Sequence, residues 1–462
     1  MSRPTAARRA AFHVLVATYE RDAFIRDVLK SSPQVSSLPV RDKAFAQRLA
    51  LGVVATRGTL DDQLDRYLDK PSKVSPKVRT ALRIAAFEIL YMSTPDAAAV
   101  NQGVELVRMV AKPAAGMANA VLRRVVDRRE QFLAGDGDKM VAAKHAAGLP
   151  SWLGSFLFCD LGAQDFFDLC ESQLEPAPIY IQTNSYHDDQ LGDAAQMGAV
   201  MQPIPGCYKL ANTANLQQSE CLAQYDCVVS DIASQAIAAA ATRPGSCLEI
   251  GAGRGTKTFH MLSHAHRMGI DHTHVAVDLF ESKCQLNVER LEQAGMPCVQ
   301  TVSGDARNLD VILNCSNVCD ASTLFDTVFL DVPCSGTGTM RRHPEIPWRL
   351  TSDELTHEIV PLQLKLLEAA AAHVACDGEL IYATCSVLSC ENEQVVEAFL
   401  ETDLGKQFEL VPVQDAFAFA QTGYASARTW VRDRSGHEGM FATHPALNQG
   451  DGHFCARLHR IK

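Results

Sequence analysis

Along the first 130 positions, apolar residues recur at intervals of three and four. Val78, Leu82, Ala85, Ile89 and Leu90 form one such stripe, with Arg79 and Arg83 falling between its members. The same period predicts helices over 6–19, 40–56, 59–67, 76–91, 97–110 and 117–127, with Pro39, Pro71, Pro76, Pro95 and Pro113 near their ends. A short polar run at 131–139, rich in Gly and Asp, reads as a linker. Helix-like stretches at 153–161 and 163–174 then precede a strand-like run at 179–184. From 227 onward short apolar runs alternate with helical patterns, predicting strands at 246–250, 274–278, 300–303, 327–331 and 379–383 and an antiparallel candidate near 454–458. Strand–helix alternation implies a parallel sheet covered on both faces. The expected organisation is an all-α domain over 1–135, a small α+β connector over 145–226 and an α/β Rossmann-like domain over 227–462.

Length agrees with more than one core, since 462 residues exceed what a single domain ordinarily holds. A chain 47% hydrophobic and 21% charged is globular rather than disordered, and no apolar run approaches a membrane span. Arg3, Arg8 and Arg9 precede an apolar run, but His13 and then Tyr19-Glu20-Arg21-Asp22 interrupt it, so no signal peptide is expected and the cytoplasm is the default location. A membrane partner is not expected, and the chain is expected to be monomeric.

Charge changes the picture more. The net charge is -11, yet residues 1–150 hold 24 Lys+Arg against 15 Asp+Glu, while the remainder holds 19 against 39. A basic block on an acidic body suits a module that grips a phosphate backbone, joined to one that does something else. Fifteen cysteines occur without a Cys-x-x-Cys pair or a His-Glu-x-x-His run, so neither a disulfide framework nor a metal site is indicated. Cys159, Cys170 and Cys247 read as small buried hydrophobes.

Candidate chemistry lies at the strand ends. After the strand at 246–250 comes Gly251-Ala252-Gly253-Arg254-Gly255-Thr256-Lys257-Thr258, a tight turn opening a helix. Its glycines allow close backbone approach and the helix start offers free N–H groups. The spacing matches neither the dinucleotide fingerprint nor a P-loop. Asp278 ends the next strand, placed for a ribose diol, and Asp305 follows the strand after that, suited to an adenine amino edge. The ordered trio describes an S-adenosylmethionine pocket. A helix cap is the competing reading of each Asp alone.

Two thiols occupy the same setting. Val328-Phe329-Leu330 ends at Asp331, and the turn through Pro333 lifts Cys334 out of the sheet; Leu380-Ile381-Tyr382 leads in the same way to Cys385. A redox pair is one reading. Methyl transfer to carbon is the sharper one, because pyrimidine C5 becomes nucleophilic only after a thiolate adds at C6.

The runs Asp331-Val332-Pro333-Cys334-Ser335-Gly336-Thr337-Gly338 and Ala383-Thr384-Cys385-Ser386 resemble motifs of the RNA cytosine-5 methyltransferases of the Sun/Nol1/NSUN family. Arg341-Arg342-His343-Pro344-Glu345-Ile346-Pro347-Trp348 is similar to the RsmB (Sun) branch, which acts on small-subunit ribosomal RNA and carries a NusB-like N-terminal domain. Arg41-Asp42-Lys43-Ala44-Phe45-Ala46 and Ala118-Asn119-Ala120-Val121-Leu122-Arg123-Arg124 resemble that NusB-type RNA-binding module. The resemblance implies a covalent mechanism on ribosomal RNA, with Cys385 as nucleophile, Cys334 assisting release and Asp331 on the cytosine edge. It also implies S-adenosylmethionine held by Gly251 to Lys257, Asp278, Asp305 and Asp331, with Arg79, Arg83, Arg123 and Arg124 as candidates for phosphates. The glycine turn departs from the family's usual Cys-Ala-Ala-Pro-Gly-Gly-Lys-Thr, and Ser230 stands where Gln is common. A non-catalytic RNA-binding assembly factor that retains the fold is the alternative.

Overall fold

In the computed structural model, which describes residues 3–213, 216–316 and 323–462, contacts divide the chain into two units. The first takes residues 1–176 together with 340–352, and the second takes 177–339 and 353–462.

The first unit is helical: α1 Ala6–Arg21, α2 Ile25–Ser31, α3 Val40–Ala55, α4 Arg57–Asp65, α5 Pro76–Tyr91, α6 Asp96–Val110, α7 Ala115–Asp127, α8 Lys139–Ala147 and α9 Ser151–Ser172. Ser75 caps α5 by accepting from the Val78 N–H, and Pro76 occupies the first turn, where its missing N–H costs nothing. Positions 80 through 90 of α5 are all buried, so this helix is surrounded on every side by the bundle. Gly103 lets α6 come close to α5, because a Cβ there would lie 2.4 Å from the Ala85 methyl. Six predicted helices are present, with ends shifted by two residues or fewer.

The linker expected at 131–139 is instead part of the bundle. A short helix at Arg129–Leu133 buries Phe132, which stacks on His145 of α8 with ring centroids 4.0 Å apart. Asp138 caps α8, accepting from the Met140 and Val141 N–H groups. The polar run is thus two helix ends rather than a spacer. Most of the expected connector is divided in the same way, with α9 joining the helical unit and the strands after Ala177 joining the other. Gly162, at φ 76°, breaks α9 between the two stretches read from the sequence.

Two basic expectations are corrected here. Arg83 is buried and forks onto Asp61 at 2.6 and 2.8 Å, and Arg79 pairs with Asp61 and Asp65 at 3.1 and 2.7 Å. Both guanidiniums are therefore committed to α4. Arg123 and Arg124 of α7 are exposed. Segment 340–352 is anchored among these helices: Glu345 accepts from the Ile25 N–H at 2.6 Å, and a Cβ on Gly58 would lie 2.2 Å from the Trp348 ring.

The second unit holds two sheets. Strands β1 Ile179–Thr183, β2 Ala199–Met201, β3 Cys207–Leu210 and β4 Cys227–Val229 form an antiparallel sheet in the order β2-β3-β1-β4. Helix α10, Ile232–Ala240, leads to β5 Gly245–Ile250, α11 Thr256–Met268, β6 His272–Asp278, α12 Glu281–Gln293, β7 Gln300–Ser303, β8 Phe325–Asp331 and β9 Val374–Thr384. Strands β10 Phe408–Val411, β11 Phe441–Thr443 and β12 His453–Arg460 complete an eight-stranded sheet. Its order is β10-β12-β9-β8-β5-β6-β7, with β11 on β12. Strands β7, β6, β5, β8 and β9 run parallel, and β12 returns antiparallel to β9. Buried Leu248, Val328 and Leu380 fill one face and Cys247, Phe329 and Ile381 the other, the two-sided burial of a covered parallel sheet. The order reverses between β5 and β8, and open α/β sheets bind ligands beyond such a point.

Candidate active site

Gly251, Gly253 and Gly255 adopt φ of 81°, 59° and 78°, which side chains with a Cβ rarely tolerate. At Gly251 space is also exhausted, since a Cβ would lie 2.2 Å from the Asp331 carbonyl oxygen. The turn is pinned to the next strand: the N–H groups of Gly251 and Ala252 both donate to the Val277 carbonyl, and the Gly253 N–H donates to Asp278 Oδ2 at 3.0 Å. Asp278 is buried and accepts from the Phe280 N–H through Oδ1. Arg254 is exposed, Thr256 accepts from Arg290, and the first turn of α11 leaves backbone N–H groups without helical partners. Asp305 stands apart in its bonding. Its carboxylate caps the short turn after β7 and forks with Arg307, which together hold it below the usual carboxylate range.

Asp331 ends β8 and receives the ammonium of Lys257 at 2.5 Å. Burial disfavours the Lys257 charge, but the Asp331 carboxylate outweighs it and holds the group above its ordinary value. Strands β8 and β9 are in register, with Asp331 opposite Ala383, so the two turns that follow leave the sheet side by side. The Gly338 N–H donates to the Cys385 carbonyl, and the Sγ atoms of Cys334 and Cys385 come within 3.3 Å. Both residues are half-buried. The Cys385 sulfur first, and burial second, push the Cys334 thiol well above its ordinary range.

Glu391 escaped sequence reasoning. Fully buried, it accepts from the Ser335 N–H at 2.7 Å and Gln363 at 2.9 Å through one oxygen, and from the Ser335 and Ser386 hydroxyls, both at 2.5 Å, through the other. One carboxylate thereby clamps the residues that follow both cysteines. His453, buried on β12, is pushed down to about 4 chiefly by burial. Of the cysteines expected inside, Cys170 and Cys247 are buried, whereas Cys159 lies on the exposed side of α9.

Comparison with known proteins places these features. Residues 237–459 match the family described as 16S rRNA methyltransferase RsmB/F, and residues 5–127 match the NusB family. Ribosomal RNA small subunit methyltransferase B of Escherichia coli O17:K52:H18 is 28% identical over 430 residues, covering 90% of each chain. The crystal structure of PH0851 shares the fold over 100% of both chains, with a TM-score of 0.74 at 22% identity. NSun6 from Pyrococcus horikoshii, solved with SFG, has a TM-score of 0.54 at 14% identity and covers 68% of this chain and 98% of its own. The glycine turn and the two neighbouring cysteine turns at the ends of parallel strands lie within residues 237–459, the part of the chain that matches the RsmB/F methyltransferase family, and the helical stretch 5–127 is the part that matches the NusB family.

Proposed function

We propose that this protein transfers a methyl group from S-adenosylmethionine to C5 of a cytosine in small-subunit ribosomal RNA, through a covalent cysteine adduct. The observation that carries the reading is the 3.3 Å separation of the Cys334 and Cys385 sulfurs at adjacent strand ends. The glycine turn fits the donor: three positive-φ residues keep side chains out of the crevice, and Asp278 is fixed at its edge by two backbone N–H groups. S-adenosylmethionine, when bound, supplies an electrophilic methyl group.

Cys385 adds through sulfur to C6, and the C5–C6 π electrons become available at C5. Asp331 accepts from Lys257 through Oδ2, which leaves Oδ1 to accept from the N4 amino group and to relay a proton from solvent to N3, neutralising the negative charge that addition creates there. Once C5 carries the methyl group its proton must leave, and the electron pair of that C–H bond reforms the double bond as the C6–S bond breaks. Cys334 serves that release as the base: its sulfur, after losing its own proton to solvent, takes the C5 proton, a transfer favoured by the raised proton affinity that Cys385 and burial impose on it, while Cys385 leaves as the thiolate. Affinity for RNA comes from the basic helical unit, where Arg123 and Arg124 remain exposed for phosphates. The target base reaches the thiols by leaving its stack.

The pairing of Asp305 with Arg307 favours a second reading, an RNA-binding assembly factor with an incomplete donor pocket. Incubation with small-subunit rRNA and labelled S-adenosylmethionine, followed by nucleoside mass spectrometry, decides between them. We expect 5-methylcytidine; RNA binding without S-adenosylmethionine binding by calorimetry would leave the second reading.

A further inference from the structure

At the opposite end of strands β5 and β6 from the glycine turn, Cys247, His272 and His274 bring one donor atom each to within 4.8 Å of one another. Cys247 and His274 are paired across the parallel ladder, and His272 lies two residues back on the same face as His274. Each imidazole is already oriented. His272 Nδ1 is 2.9 Å from the Arg243 carbonyl oxygen, and His274 Nε2 is 2.9 Å from Glu249 Oε2. Both partners accept hydrogen bonds only, so each of these nitrogens carries the proton. With both imidazoles neutral, the remaining nitrogens, Nε2 of His272 and Nδ1 of His274, carry lone pairs, and they stand 3.3 Å apart.

Two lone pairs directed at one another are poor partners. The same spacing suits a shared cation, since two nitrogens about 2.0–2.1 Å from tetrahedral zinc stand about 3.3–3.4 Å apart. Imidazoles whose second N–H is bound by a carbonyl and a carboxylate have the usual outer shell of metal-binding histidines. Glu249 is fully buried, and its Oε1 takes no hydrogen bond among the described residues. A dication would offset that carboxylate and the Cys247 thiolate. His272 is only half-buried and provides the way in.

We propose that Cys247 Sγ, His272 Nε2 and His274 Nδ1 form a zinc site that staples β5 to β6. Thiolate and imidazole donors select zinc over magnesium or calcium. The site lies four residues before Gly251, about 13 Å along the strand, so it is separate from the crevice where methyl transfer is proposed. Its effect is structural, because β5 and β6 carry the glycine turn and Asp278.

The test uses the full chain, stripped of metal by a chelator and titrated with cobalt(II) and then zinc(II). One cobalt per chain should bind with a thiolate-to-metal charge-transfer band, and zinc should displace it and raise the melting temperature. Cys247→Ser should lose the band. His272→Gln, at a half-buried position that tolerates change, should weaken binding by about tenfold or more. Cys334→Ser with Cys385→Ser should leave the band intact. No metal bound by the wild-type chain, or a band that survives in a folded Cys247→Ser or His272→Gln chain with unchanged affinity, overturns the site.

Discussion

Lys257 donates to Asp331 Oδ2 at 2.5 Å, tying the end of the glycine turn to the strand that leads to Cys334. The two side chains keep 16% and 28% of their exposure, so the pair is only partly shielded from solvent. Asp331→Asn leaves the ammonium without its counter-charge and should cost about 1–3 kcal/mol, below the 3–5 typical of fully buried pairs. Adding Lys257→Met should recover part of that loss. Urea unfolding of the single and double variants measures the coupling, and strictly additive losses would dissolve the pair. Methyl transfer by Asp331→Asn should fall by about 10²-fold or more.

The two sulfurs should separate by role. With donor and RNA present, Cys334→Ala should accumulate a protein–RNA adduct that survives denaturing electrophoresis, because addition proceeds and release does not. Cys385→Ala should give neither adduct nor methylated product. A retarded band from Cys385→Ala would exchange the two assignments.

The convergence of the two cysteine turns was legible because a parallel strand is a short apolar run and its end marks where a turn leaves the sheet. Leu330 before Asp331, and Tyr382 three residues before Cys385, marked both places by chain order alone. Contacts across the fold were hidden. Arg79 and Arg83 have the spacing of a phosphate-binding face, and only the packing of α4 on α5 reveals Asp61 as their partner. Glu391 sits in a polar stretch whose burial no periodicity announces, and its partner Ser335 is 56 residues away. Asp305 had two readings from sequence, and its carboxylate accepts from the Arg307 N–H, a local bond that either reading accommodates. Residues paired across adjacent strands likewise escape a search for local Cys-x-x-Cys spacing, as Cys247 and His274 do.

Glu391→Gln tests the clamp under the thiols. The amide replaces an acceptor oxygen with an NH2 group that must face either two hydroxyls or a backbone N–H and Gln363. Stability should fall by about 1–3 kcal/mol and turnover by about 10²-fold, with S-adenosylmethionine affinity changed little. Calorimetry beside single-turnover kinetics checks this. Equal losses in donor affinity and turnover would instead mean that the whole pocket had collapsed.

The arginines of the helical unit should divide between folding and binding. Arg83→Ala removes a buried guanidinium from Asp61 and should lower stability by about 2–4 kcal/mol while leaving RNA affinity, measured on the folded fraction, nearly unchanged. Arg123→Ala with Arg124→Ala should do the reverse. Fluorescence anisotropy against salt concentration should show the log–log slope reduced by about 1–2, the effect of losing two phosphate contacts. An unchanged slope would remove α7 from the RNA-binding surface.

Burial holds His453 at about 4 in the folded chain, against 6.5 for a free imidazole. Below pH 6.5 the unfolded chain takes up a proton that the folded chain refuses, so stability is fully present above that pH and is lost as pH falls toward 4. Between pH 7 and pH 5 this group alone should remove about 2 kcal/mol. His260 and His264, also lowered by burial, add losses of the same sign, so the wild-type slope alone does not isolate His453. His453→Gln does so by difference. Its urea midpoint should change less between pH 7 and pH 5 than that of the wild type, whatever the substitution costs at pH 7. Parallel pH profiles for the two chains would show that His453 is not the group that titrates on unfolding.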